Sequence, residues 1–166
     1  SKGYLLWSLH EWRSAIEAFQ SLIRRFPKYE LTPDAYLNIT RIYLDQSMYE
    51  FQNPDLLAFA ELNTKKFRQE FPREELVEEA EQNVRMIKEV YAKGLYDTGR
   101  FYERTCKVNA AVIYYESTIN KFPDTTVADC SRRRLAIICP DFLQQLESRP
   151  QAPAEQTEEK GEKEVK

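Results

Sequence analysis

Glycine is scarce in this sequence: 4 residues of 166, at positions 3, 94, 99 and 161. A many-stranded sheet draws on turn glycines, so this shortage, set against 10 Tyr, 9 Phe and 2 Trp, favours a mostly helical chain. The same scatter excludes a glycine-rich phosphate loop. Histidine is scarcer still. His10 stands alone between Leu9 and Glu11, and adjacent helical residues face apart, so it has no base–orienter pair and reads as a surface or turn residue. The 3 cysteines, Cys106, Cys130 and Cys139, make no disulfide framework and lack the close spacing and downstream histidine of a zinc site. They read as buried or half-buried thiols, with a bridge from Cys106 to one of the others as the alternative. Cys130 and Cys139 lie too far apart along one helix to be joined. A strong excess of positive charge is also missing: the net charge of -3 argues against nucleic acid as a partner. No apolar run reaches bilayer length, and no signal peptide is visible. With no catalytic, cofactor-binding or metal-binding constellation, the chain reads as a non-enzymatic protein that takes no cofactor.

What is present is helical periodicity cut by prolines. Residues 13–26 space Ala15, Phe19, Leu22 and Phe26 as one apolar stripe, with Ile16 and Ile23 alongside. Thr32 is placed to cap a helix over 33–49 that buries Ala35, Ile39, Ile42 and Tyr43, with Pro33 in its first turn. Asn53 and Pro54 repeat the device for 54–70, where Leu56, Ala60, Thr64 and Phe67 point inward. From 74 to 105 the spacing of Ala80, Val84, Ile87, Tyr91, Leu95, Thr98 and Tyr102 runs on without a proline. It predicts one long helix, with a break near Gly94 as the alternative. Helices follow over 108–121 (Val108, Ala111, Val112, Tyr115 and Ile119 inward), 126–139 (Ala128, Leu135, Ile138) and 141–147. From Ser148 the composition turns polar and charged without an aromatic, which predicts a disordered tail over 148–166 after a helical domain over 1–147.

Three of the 8 prolines follow a phenylalanine at a helix end: Phe26-Pro27, Phe71-Pro72 and Phe122-Pro123. An offset of 96 residues lays 3–27 over 99–123 without a gap, matching Gly3 to Gly99, Ala15 to Ala111 and Phe19 to Tyr115. Helix pairs recurring in this way are the mark of a solenoid. The small-residue positions resemble the tetratricopeptide repeat, in which a glycine of the first helix and an alanine of the second let the two approach closely. The resemblance implies an all-α fold: a right-handed solenoid of tetratricopeptide-like antiparallel helix pairs with one long helix. Inter-proline spacings above the usual 34 predict longer first helices and a longer 50–53 loop.

The run 82–129, with "GRFYERTCKVNAAVIYYE" and the "FPDT" close, is similar to the closing repeats of the BamD (ComL) family. These are repeat lipoproteins of the outer-membrane β-barrel assembly machinery. The likeness extends over 3–139 and is distinctive from Leu56 to Ala128. This chain departs from it at Cys106–Val108, where the family has a glycine-aromatic turn, and at Ile113-Tyr114, where members often carry Asn-Arg. The resemblance implies a scaffold on the periplasmic face of the bacterial outer membrane. Its partners would be the central barrel assembly subunit, accessory lipoproteins and unfolded outer-membrane proteins. It further implies a signal peptide, an N-terminal lipid anchor and more repeats before residue 1. A repeat scaffold of another envelope complex, in pilus or secretion assembly or cell-wall coordination, is the alternative.

Two features point to partner contact. Phe101-Tyr102 and Tyr114-Tyr115 are aromatic neighbours, so one of each pair must turn outward; Phe101 and Tyr114 are the candidates. Arg132, Arg133 and Arg134 form a local basic run beside Lys121. The run suits snorkelling surface side chains, an acidic protein partner, or nucleic acid and lipid head groups. Glu74, Glu75, Glu78 and Glu79 suit a solvated, favourably negative helix start, with a cation-attracting patch as the alternative. Trp7 and Trp12 are candidates to pack against sequence preceding the chain. Charge reversal across 132–134 is expected to weaken partner capture, measured by pull-down, while leaving helicity by circular dichroism intact.

Overall fold

The computed structural model describes residues 2–50 and 53–148. The expected tail beyond Ser148 and positions 51 and 52 of the 50–53 loop lie outside the described residues. Those residues form eight helices and no strand. The helices are α1 (Lys2–Ser8), α2 (Trp12–Arg25), α3 (Thr32–Tyr49), α4 (Asp55–Glu70), α5 (Leu76–Arg104), α6 (Val108–Lys121), α7 (Thr126–Ile138) and α8 (Pro140–Glu147). Each packs on the next, and α3 also packs on α5, and α5 on α7. The extra length falls in α3 and α5, of 18 and 29 residues, whereas α2, α4 and α6 have 14, 16 and 14. Helix α5 runs through Gly94 and Gly99 unbroken, about 43 Å long at ~1.5 Å per residue.

The three phenylalanine-proline joints share one backbone geometry. Phe26, Phe71 and Phe122 have φ/ψ of -136/63, -129/63 and -134/57. A following proline disfavours the right-handed helical region at the residue before it, and at these three joints the helix ends there. Each phenylalanine N–H still closes the last turn onto the carbonyl four residues back, of Leu22, Phe67 or Thr118. Each carbonyl accepts from the N–H three residues on, of Tyr29, Glu74 or Thr125, at 3.2, 3.1 and 3.2 Å. Cys139 before Pro140 stops α7 in the same way, at φ -156 and ψ 71. The rings themselves behave differently. Phe71 and Phe122 are half-buried, on Phe67 and on Tyr91 respectively, but Phe26 is exposed against Tyr29 and does not complete the buried stripe of α2.

The helix starts are less uniform than the sequence suggests. Thr32 is fully buried and its hydroxyl donates to the Phe26 carbonyl at 2.5 Å, tying α3 to the preceding joint instead of capping an amide. Asn53 Oδ1 does accept from the Asp55 N–H at 3.2 Å. Thr125 Oγ1 accepts from the Ala128 N–H at 3.2 Å, a true N-cap for α7. The α7 terminus has a second acceptor: the Glu89 carboxylate of α5 takes the Thr126 N–H (2.7 Å), the Thr126 hydroxyl (3.0 Å) and the Val127 N–H (3.4 Å). A carboxylate at this end also complements the helix dipole.

Burial follows the apolar stripes. Ala15, Ile39, Ile42, Ala60, Phe67, Ile87, Ala111, Tyr115 and Leu135 are wholly enclosed, the large ones contributing roughly 1.5–3 kcal/mol each. What stands nearest Gly3 and Gly99 is a ring. A Cβ on Gly3 would stand 2.7 Å from the Phe19 ring, and one on Gly99 2.8 Å from the Tyr115 ring. Other expectations need correction. Val108 is exposed because it opens α6 on its outer side, and Cys106 and Cys130 are exposed free thiols, with Cys139 half-buried. Trp7 and Trp12 have an internal partner, since both indole N–H groups donate to Asp45 Oδ2 at 3.2 Å.

The 96-residue recurrence extends to the turns. His10 and Cys106 hold φ of 58 and 59, the two positive values at non-glycine residues among those described. His10 and Glu11 donate to the carbonyls of Trp7 and Leu6, and Cys106 and Lys107 to those of Glu103 and Tyr102. That is a left-handed C-terminal motif usually served by glycine, and an L side chain there costs roughly 1–2 kcal/mol. Cys106→Gly is therefore expected to stabilise the fold by about 1 kcal/mol. Urea unfolding checks it, as a higher midpoint at unchanged slope.

Candidate partner-binding surface

The even-numbered helices α2, α4 and α6 leave two grooves between them, each floored by the odd helix between its walls. The first, about 650 Å³, lies among α2, α3 and α4, where Tyr36 and Tyr43 of α3 face Ile23 of α2 and Phe59, Leu62 and Lys66 of α4. Phe59 and Leu62 are about half exposed. Tyr36 stacks on Phe67 at 5.1 Å, and burial, reinforced by the nearby Glu70 carboxylate, pushes its phenol up to about 12. The second groove, about 490 Å³, lies among α4, α5 and α6 and is more apolar: Leu57, Tyr91, Leu95, Tyr114 and Phe122 line it. Tyr114 and Asn63 stand equally far before their joint prolines and line corresponding walls of the two grooves. Tyr43 and Tyr91, also largely withdrawn from water, are held above the ordinary tyrosine range, chiefly by burial.

The structure brings two of the expected contact residues together. Tyr114 is half-buried and stacks on Tyr102 at 5.4 Å; Phe101, 53% exposed, sets its ring against the same Tyr102 at 5.5 Å. The three rings form a ladder from open surface to the rim of the second groove. An exposed aromatic continuous with an apolar groove is the composition of an interface centre.

The arginine run divides. Arg132 pairs with Asp129 at 2.7 Å on its own helix, and Arg133 is exposed without an ion pair among the described residues. Arg134 is turned inward as a two-pronged pair with Glu103 of α5, its Nε donating to Oε2 at 3.2 Å and its other nitrogen to Oε1. Glu103 also accepts the Tyr115 hydroxyl at 2.6 Å and meets Arg100 at 3.4 Å. One carboxylate thus joins α5, α6 and α7. Arg134, then the Tyr115 hydroxyl, hold the Glu103 carboxyl below the usual glutamate range against the opposing effect of burial. Glu103 in return raises Arg134, and burial, reinforced by Glu103, raises Tyr115. Reversing the charge of Arg134 would therefore break the fold's own contact, so a surface test must be confined to Arg132 and Arg133.

Sequence reasoning missed Glu103, which follows Tyr102 at the end of the apolar stripe and looks like any solvated acid of a helix. It also read Glu79 as a solvated face, whereas Glu79 pairs with Arg41 of α3 at 2.5 Å. No group of His, Cys, Asp and Glu among the described residues is disposed to hold a metal ion, and no helix there is long and apolar enough to cross a membrane. No family model matches the chain, and no curated protein is significantly similar to it.

Glu103→Gln removes the charge and keeps the shape. At neutral pH it is expected to cost about 2 kcal/mol, the scale of hydrogen bonds to a charged group. Because the folded-state value is lowered, this stability is complete above the ordinary glutamate value near 4.5 and is lost as pH falls through the folded value. Urea unfolding at pH 7 and at successively lower pH should show the native chain and the variant converging in acid.

Proposed function

We propose that the chain is a scaffold: a right-handed solenoid of tetratricopeptide-like antiparallel helix pairs that works by holding protein partners, with no chemistry of its own. The observation that carries this reading is the 96-residue recurrence of a whole structural unit. The glycine-against-ring contact, the left-handed turn and the phenylalanine-proline joint return together in the α1–α2 and α5–α6 pairs. Short turns at 9–11 and 105–107 suit antiparallel neighbours. Solenoids of this kind present extended faces to partners, and here the ring ladder Phe101–Tyr102–Tyr114 and the adjoining groove supply one.

The pathway rests on the resemblance of 82–129 to the BamD (ComL) family. On that reading the chain belongs to the outer-membrane β-barrel assembly machinery on the periplasmic face of the outer membrane. It would contact the central barrel subunit, accessory lipoproteins and unfolded barrel clients, with a lipid anchor at the N-terminus of the intact protein.

Co-purification from solubilised envelope with the intact protein tests this. The barrel-forming assembly subunit should be retained; its consistent absence, under conditions that preserve other complexes, would overturn the assignment. In the same assay the pair Phe101→Ala and Tyr114→Ala should reduce capture at least about tenfold, on the scale of interface aromatics. Arg132→Glu with Arg133→Glu should weaken it if the partner face is acidic. Both sets should keep native helicity by circular dichroism.

A further inference from the structure

A buried tyrosine hydroxyl ordinarily has a hydrogen-bond partner, because an unpaired donor withdrawn from water costs free energy. Among the described residues the buried tyrosines are Tyr36, Tyr43, Tyr91 and Tyr115. Three of them follow the rule. Tyr36 meets the Glu70 carboxylate, Tyr91 donates to the Asn53 carbonyl, and Tyr115 donates to Glu103 at 2.6 Å. Tyr43 does not. It is 8% exposed, yet its hydroxyl bonds to nothing among the described residues, and its oxygen is not sealed off from solvent. Burial keeps the phenol protonated, so a donor is left without an acceptor.

Tyr43 lines the groove among α2, α3 and α4, its ring centroid 6.2 Å from that of Phe59. The cations of this groove are unmatched as well. Arg24 of α2 reaches the Ser21 hydroxyl of its own helix at 3.2 Å and makes no ion pair among the described residues; neither does Lys66 of α4. Glu70 is the one carboxylate in the lining, and it stands beside the Tyr36 phenol. Both walls therefore offer positive charge, and the floor offers a hydroxyl proton.

We propose that this groove is a docking site for an acidic side chain of a partner protein, whose carboxylate accepts a hydrogen bond from Tyr43 while Arg24 and Lys66 offset its charge. A carboxylate fits better than a neutral amide, because hydrogen bonds to an ionised acceptor are roughly twice as strong and the walls attract the charge. Apolar neighbours of that acid would cover Phe59 and Leu62, each 51% exposed at the same groove. The site lies apart from the ring ladder of α5 and α6. It rests on the scaffold reading only in that the ligand belongs to a protein.

The test uses the whole chain with isotope-labelled tyrosine rings, the Tyr43 signals being assigned from Tyr43→Phe. It is titrated with the blocked peptide Gly-Leu-Glu-Leu-Gly and with its glutamine counterpart, which has the same shape and no charge. The glutamate peptide should move the Tyr43 signals saturably and bind at least about tenfold more tightly than the glutamine peptide. Tyr43→Phe deletes the hydroxyl alone. By calorimetric titration it should weaken glutamate-peptide binding about tenfold, and its urea midpoint should be no lower than native, since no internal bond is lost. Lys66→Gln, at an exposed position, should weaken binding with helicity unchanged. Absence of a saturable shift, equal binding of the glutamine peptide, binding untouched by Tyr43→Phe, or a lowered urea midpoint in that variant overturns the proposal. Acetate binding as tightly as the peptide also overturns it, in favour of a free-anion site. None of these results bears on co-purification of the barrel-forming subunit, so the two readings fail separately.

Discussion

A proline's ring crowds the residue before it out of the helical region, and this steric rule organises the chain. It acts at Phe26, Phe71, Phe122 and Cys139, and at the three phenylalanines it yields nearly the same dihedral pair. Continuing a helix through any of these prolines would cost roughly 3 kcal/mol. The chain stops instead, satisfies the last amide, and starts a new helix a few residues on. Everything larger depends on those stops: which segments become walls, which become floors, and where the grooves lie.

Between the stops, α5 carries most of the cross-ties. It packs on α3, α4, α6 and α7. Polar pairs join it to each: Arg41 to Glu79, Lys88 to Glu61, Glu103 to the Tyr115 hydroxyl, and Glu89 with Glu103 to α7. The two carboxylates facing α7 are of different kinds. Glu89 holds the backbone amides of the helix start, whereas Glu103 holds a side chain two turns further along. Together they fix the helix at two points, so its rotation about its own axis is set by charge as well as by Leu135 in the core.

The sequence made helix positions legible to within a residue or two because those are local properties: periodicity of apolar residues, prolines, and the absence of glycine. The repeat register was legible for the same reason, down to matched Gly3 and Gly99. What escaped depended on the neighbour lying opposite. Nothing local distinguishes Arg134, held by Glu103, from Arg133, which is in water. Phe26 and Phe122 occupy the same position in their repeats, yet Phe122 is half-buried against Tyr91 whereas Phe26 meets only the exposed ring of Tyr29. Thr32 looked like a cap because its side chain can accept from an amide; the nearby Phe26 carbonyl turned it into a donor. Trp7 and Trp12 seemed to need absent sequence because Asp45 is more than thirty residues away along the chain. Of the candidate surface, the outward turn of Phe101 was readable from aromatic doublets, while the grooves emerge only from helix packing.

The unbroken course of α5 has a mechanical meaning. Its first half is gripped by α3 and α4 and its second by α6 and α7, while Gly99 is locked beneath the Tyr115 ring. A stiff rod held at both ends cannot absorb a tilt locally. That rod is the common axis of the α3–α4 and the α6–α7 packing, so the spacing between the tyrosine-floored groove and the ring ladder is set by the length of one helix.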